Sequence, residues 1–93
     1  MIKLFKKFKR TFNPGSIFAY TKGIYIGKFA VLVDYSDSEE AYFLILPDML
    51  PHSIKKTEFL ASYRTNIIDY IEVLPNDIFE VVKAQYLKNI HAE

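Results

Sequence analysis

Few side chains in this sequence are fit for catalysis: His52, His91, the adjacent carboxylates Glu39 and Glu40, and a handful of hydroxyls. Each belongs to a chemistry that needs company. A metal centre needs several His, Cys or carboxylate ligands at fixed spacing. The chain has no cysteine, and no Asp/Glu/His spacing around either histidine matches a metal site. A nucleophilic triad needs a Ser or Cys brought to a base and a carboxylate. Ser62 and His52 supply two of those types, but no elbow motif presents the serine. Glu39 and Glu40 lie in a polar stretch with no apolar neighbours to raise a carboxyl pKa. With only Gly15, Gly23 and Gly27 in the chain, no glycine-rich run can cradle a phosphate. The expectation is a non-enzymatic protein with no metal and no cofactor.

What remains is surface chemistry. Tyr20, Tyr25, Tyr35 and Tyr42 fall near the ends of predicted strands, beside Lys22 and Lys28. Interleaved aromatic and basic residues can stack bases and neutralise phosphates. They serve equally as hot spots for a protein partner, where Tyr is enriched, or as half-buried strand tyrosines. A second basic group lies in residues 1–12, M-I-K-L-F-K-K-F-K-R-T-F. Phe5, Phe8 and Phe12 recur there at helical spacing, flanked by Lys3, Lys6, Lys7, Lys9 and Arg10. Such an arm can lie on a membrane surface, reach an anionic partner, or dock its phenylalanines on the body.

The net charge of +1 conceals an asymmetry. Residues 1–33 carry seven basic residues and no acid (+7), while residues 34–93 carry five basic residues against eleven acids (−6). The two ends can attract different partners, or each other.

The positioning elements follow from pattern and punctuation. Ninety-three residues, half of them hydrophobic, make one globular domain. The organising stretch is Gly23 to Pro47, two apolar runs around the acidic segment Ser36–Glu40, read as a β-hairpin. Asn13-Pro14-Gly15 is a turn, and Ser16–Tyr20 a first strand closed by a tight turn at Thr21-Lys22-Gly23. Ile24–Tyr35 reads as one long strand, bent at Gly27 and buried on both faces for part of its length. Ala41–Leu46 pairs with it. Pro47 and Pro51 bound a loop running to Ser53. Thr57–Tyr63 is a short helix with Thr57 as N-cap and Phe59, Leu60 and Tyr63 inward, and Asn66 closes it. Ile67–Leu74 alternates as a strand. After Pro75, capped by Asn76, a helix over 77–90 carries an apolar arc of Ile78, Phe79, Val81, Val82, Tyr86 and Ile90, expected to close one face or end of the sheet. These elements predict a small SH3-like barrel or highly bent antiparallel sheet with a short internal helix and a C-terminal helix.

At two places the chain resembles the MazF/PemK-like toxin family. Pro14-Gly15-Ser16-Ile17 is similar to that family's opening Pro-Gly-Asp-Ile signature. Gly27-Lys28-Phe29-Ala30-Val31-Leu32-Val33 is similar to its Gly-x-Arg-Pro-x-x-Val strand. The resemblance implies an SH3-like barrel with helices and, as activity, RNA cleavage, which needs a cation against the developing phosphorane charge. Phe29 stands where the family has its catalytic arginine and Ala30 where it has the proline. Lys28, next along a regular strand, points to the opposite face. Ser62 and Thr65 fall only loosely in the region of the family's catalytic hydroxyl.

The reading is therefore a small binding protein that acts by occupying a macromolecular partner's surface. Its expected contacts are Lys3, Lys6, Lys7, Lys9, Arg10, Lys22, Tyr25 and Lys28. The expected partner is a protein first. Nucleic acid, a membrane surface met through residues 1–12, and a second copy of the chain are alternatives. An atypical endoribonuclease is the second function, and a membrane-surface or nucleic-acid accessory protein the third. No apolar run reaches the ~18–20 residues of a membrane span, and no signal-peptide pattern follows the basic start, so a cytoplasmic location is expected. The preference for Ile, Lys, Phe, Tyr and Asn matches AT-rich coding DNA and points to a low-GC bacterium, a phage or another mobile element.

Overall fold

A computed structural model describes residues 12–35 and 39–91. Five strands, β1 (Ser16–Tyr20), β2 (Phe29–Asp34), β3 (Glu40–Leu46), β4 (Leu50–Lys55) and β5 (Ile68–Val73), form one antiparallel sheet in the order β4-β3-β2-β1-β5. Two helices accompany it, α1 (Lys56–Arg64) and α2 (Asn76–Ile90). Two register shifts bend the sheet, one between Leu32 and Asp34 and one between Ile17 and Phe18 in the β1–β5 pairing. The expected bent sheet with an internal and a C-terminal helix is what forms.

Alternation along the strands sorts two apolar sets onto opposite faces. One set, Phe18, Ala30, Leu32, Ala41, Phe43, Ile45 and Ile68, lines the main core together with Phe12 and Phe59. Helix α1 joins edge strand β4 to edge strand β5 and packs on β3, β4 and β5. Its one buried residue, Phe59, reaches the centre of the core. Ring centroids of Phe12, Phe18, Phe43 and Tyr35 surround it at 5.7, 5.2, 5.2 and 5.9 Å. Edge-to-face and tilted pairs of this kind are the favoured aromatic geometry.

The second set, Val31, Val33 and Leu44, is buried on the other face, where α2 packs on β2, β3 and β4. Burial of β2 on both faces agrees with the sequence reading. The apolar arc of α2 is wider than its contact. Phe79, Val82 and Tyr86 are half-buried, Ile78, Val81 and Ile90 are exposed, and no residue of α2 is fully buried.

Three local expectations change. Strand β2 begins at Phe29, not at Ile24. Gly23 and Gly27 both take positive φ (87° and 85°), which folds Thr21–Lys28 into a loop of successive turns instead of extending the strand. The Pro-bounded segment after Pro47 is a loop only to Met49; from Leu50 it is β4, pairing Phe43 with His52 and Leu44 with Pro51. An edge strand tolerates Pro51 because one side of its backbone has no neighbour to bond. Neither helix has a side-chain cap: the N-cap positions are Lys55 and Pro75, not Thr57 and Asn76. Strand β4 runs straight into α1, and the Lys56 N–H donates to the Glu39 carbonyl at 2.8 Å instead.

Phe12, the last residue of the sequence-defined arm, is buried against Phe18, Phe59, Tyr63 and Tyr70. Residues 1–11, with Phe5, Phe8 and the basic group, lie outside the described residues, as do 36–38 of the acidic connection. Among the described residues no helix is long and apolar enough to cross a membrane.

Candidate functional site

The strand directions bring several connections to one end of the sheet. Strand β1 ends there at Tyr20, opposite Ile68 at the start of β5. Strand β2 starts there at Phe29, opposite Leu46 at the end of β3, and β4 starts opposite Ile45. The C-terminus of α2 arrives at the same end, where the Asn89 Nδ2 donates to the Met49 carbonyl at 2.6 Å.

The β1–β2 loop, Thr21–Lys28, dominates this end. Its backbone is folded on itself. The Ile26 N–H donates to the Gly23 carbonyl (3.2 Å), Lys28 to Tyr25 (2.9 Å) and Gly27 to Tyr20 (3.1 Å). The Thr21 N–H bonds the Ile67 carbonyl at 2.8 Å, and its hydroxyl donates to the carbonyl of Asn66, tying the loop to the α1–β5 turn. Asn66 takes φ 61°, as its role in closing α1 requires.

Side chains in the loop alternate in and out. Tyr25 turns inward, its ring 5.2 Å from Tyr20 and 5.3 Å from His52 of β4. Ile24 and Ile26 turn outward and are 89% and 63% exposed. Lys28, at the base, forms an ion pair with Asp48 of the β3–β4 turn, and Lys22 is exposed at the other base. Phe29, Met49 and Leu50 are also substantially exposed at this end. The result is an apolar tip rimmed by lysines, braced underneath by Tyr20, Tyr25 and His52.

Met49 adopts φ 58°. A long side chain in the left-handed region costs roughly 1–2 kcal/mol, so its presence there is a candidate functional strain rather than a packing gain. Met49→Gly is expected to raise stability by about 1 kcal/mol in denaturant unfolding, while removing exposed apolar surface from the end. An unchanged or lower midpoint would show that the Met side chain contributes to the fold.

Burial sets the titration of the brace. Tyr20 is pushed up to about 12, first by burial and then by Tyr25. Burial lowers His52 from 6.5, so the folded chain takes up this proton less readily than the unfolded chain. The associated stability is complete above pH 6.5 and is lost as pH falls from there through the lowered folded value. Thermal midpoints measured across that window should fall on acidification, and His52→Gln should flatten the dependence. Equal slopes for the two proteins would assign the pH dependence to other groups.

The tyrosine group expected from the sequence divides. Tyr20 and Tyr25 meet at the loop end. Tyr35 packs on Phe59, with the Lys56 Nζ 4.6 Å from its ring centroid. Tyr42 faces the α2 side, where it and Asp34 help to raise Tyr86, chiefly lifted by burial. Of the expected contact residues, Lys22, Tyr25 and Lys28 fall together, while Lys3, Lys6, Lys7, Lys9 and Arg10 lie outside the described residues. Ser62 and Thr65 are at the end of α1, where the Thr65 hydroxyl donates to the Ala61 carbonyl at 2.8 Å. Sequence reasoning misses Ile24, Ile26, Met49 and His52 as members of this end. The signal for the first two is the pair of glycines bracketing I-Y-I, which an isolated strand does not need.

Charge is polarised along the strand axis. Asp34, Glu39, Glu40, Glu72, Asp77 and Glu80 gather at the end opposite the loop, where β2 and β5 finish and β3 and α2 begin, and outnumber Lys55 and Lys56 at the β4–α1 junction there. Lys22, Lys28, Arg64 and Lys88 lie toward the loop end, against Asp48 and Asp69. Among the described residues no group of three or more His, Asp or Glu side chains is placed to hold a metal ion. No protein-family model, curated protein or solved structure matches the chain.

Proposed function

We propose that this is a small non-enzymatic binding protein that occupies a macromolecular partner's surface through the loop end of its sheet. The observation that carries the reading is the exposure of Ile24 and Ile26 between Lys22 and Lys28. An isoleucine tip braced from below by a half-buried aromatic group does nothing for the fold that a polar turn would not do. Exposed apolar surface with a charged rim is the usual form of an interaction site.

The test uses the full chain, tagged, in cells of its host or infected host. After gentle lysis the wild type is expected to run in an assembly larger than the free 10.9 kDa chain. Ile24→Asp/Ile26→Asp, which changes only exposed side chains, should run as the free chain with an unaltered melting curve. Identical migration of the two proteins would overturn the reading.

An atypical MazF/PemK-like endoribonuclease is the second reading, favoured by one specific observation. Strand β4 brings His52 against Tyr25, in the middle of the loop that carries Lys22 and Lys28, so an imidazole and two cations share one end of the sheet. Against it, Asp48 already neutralises Lys28, and Phe29 brings no cation. RNA cleavage abolished by His52→Ala or Lys28→Ala in a folded protein would favour this reading over the first.

A further inference from the structure

We propose that the surface met by the loop end is an anionic lipid bilayer, into which Ile24 and Ile26 insert. The inference rests on the binding reading above and names its partner.

Three observations converge on it. The tip is convex and aliphatic: Ile24 is 89% exposed, and a Cβ added at Gly23 or Gly27 would meet nothing within 4 Å. Interface cores between proteins favour Tyr, Trp and Arg in pockets, and single-stranded nucleic acid asks for outward aromatics; here the one aromatic of the loop, Tyr25, is turned inward. Part of the backbone under the tip is bonded: the N–H groups of Ile26, Gly27 and Lys28 donate within the loop or to β1. That matters in lipid, where an unsatisfied peptide group is costly and water is not there to replace the bond. The charge axis points the same way. Lys22 is exposed beside the tip and Lys28, paired with Asp48, stands at its base, while Asp34, Glu39, Glu40, Glu72, Asp77 and Glu80 outnumber Lys55 and Lys56 at the far end. An anionic bilayer would draw the loop end toward it and repel the opposite end, orienting the molecule before contact.

On this geometry the isoleucines enter the acyl boundary, the lysines remain at the headgroups, and the sheet stands with its strands pointing toward the bilayer. Met49 and Leu50, in the adjoining turn and strand, follow at shallower depth.

The chain contains no tryptophan, so a single Ile24→Trp substitution reports on the tip alone. Full-length protein is mixed with phosphatidylcholine vesicles with and without phosphatidylglycerol. The indole emission of the Ile24→Trp variant should shift to the blue, and be quenched by brominated lipid, only with the anionic vesicles. Glu58→Trp on α1 should not respond. In co-sedimentation, Ile24→Asp/Ile26→Asp should retain at least about tenfold less protein than wild type at low salt. Wild-type retention should weaken as salt is raised.

No retention on anionic vesicles by a protein that still joins a large assembly in lysate overturns the lipid inference and leaves the binding reading standing, with a protein or nucleic acid as the partner. Retention undiminished by the double substitution, with no spectral shift of Ile24→Trp, overturns it too, because the lipid contact then lies elsewhere in the chain. A wild type that shows neither vesicle retention nor the assembly defeats both readings.

Discussion

Phe59→Ala should cost about 4–5 kcal/mol, the upper end for truncating a buried phenylalanine. Phe59 is 0% exposed and is the only buried residue of α1. Four aromatic rings pack around it, contributed by the chain before β1, by β1 itself, by β3 and by the residue that follows β2. Its removal therefore opens a cavity between elements that cannot all relax toward one another. It also loosens the helix that spans from one sheet edge to the other. A domain of this size has about 5–14 kcal/mol of stability in total, so the variant should sit close to the unfolding threshold. Urea unfolding should show a large drop in midpoint with an unchanged slope. Leu60→Ala, half-buried on the same helix, should cost less than half as much. A Phe59→Ala protein within about 1 kcal/mol of wild type would contradict the packing described, by the ordinary scale of core truncations.

Phe12→Ala should be nearly as damaging, at about 3–4 kcal/mol. Its ring centroid lies 5.0 Å from both Phe18 and Tyr63, and it also meets Phe59 and Tyr70. Because Phe12 and Phe59 touch, their losses should not add. The double variant is expected to fall short of the sum of the singles by roughly 0.5–1.5 kcal/mol, the range of aromatic pair couplings. Strict additivity would place Phe12 in an environment independent of α1. A Phe12→Ala protein as stable as wild type would make Phe12 part of the basic arm in function as well as in sequence.

The contrast between these two residues marks what sequence can and cannot reveal. Phe59 is legible: it falls on the inward side of a helix signalled by spacing and closed by Asn66. Phe12 is ambiguous, since helical spacing with Phe5 and Phe8 and the turn at Asn13-Pro14-Gly15 both assign it to the arm. Only the three-dimensional proximity of β1, α1 and β5 makes a place for its ring. The pairing of β2 with β3 is legible from their short connection, which forces neighbours together. The loop at Gly23–Gly27 is not, because a bending glycine in a strand and a positive-φ glycine in a turn have the same letter. The hairpin Gly23–Pro47 thus supplies a scaffold from Phe29 onward, and its first residues become the exposed tip. Strand β4 is hidden by its prolines, which mark a loop in a central position but are tolerated at an edge. For the same reason the contact of His52 with Tyr25 is hidden. Charge polarity is half visible: the chain divides into a basic first third and an acidic remainder, but its alignment along the strand axis depends on the fold.

The central functional claim, that the tip of the β1–β2 loop is the contact surface, is tested most directly by placing a photo-crosslinking residue at position 24 in the full chain and irradiating living host cells. Position 58, on the exposed side of α1, is the control. Adducts at position 24, whether to lipid or to macromolecule, with none at position 58, are the predicted result. Adducts at position 58 with none at position 24, or none at either site, would contradict it.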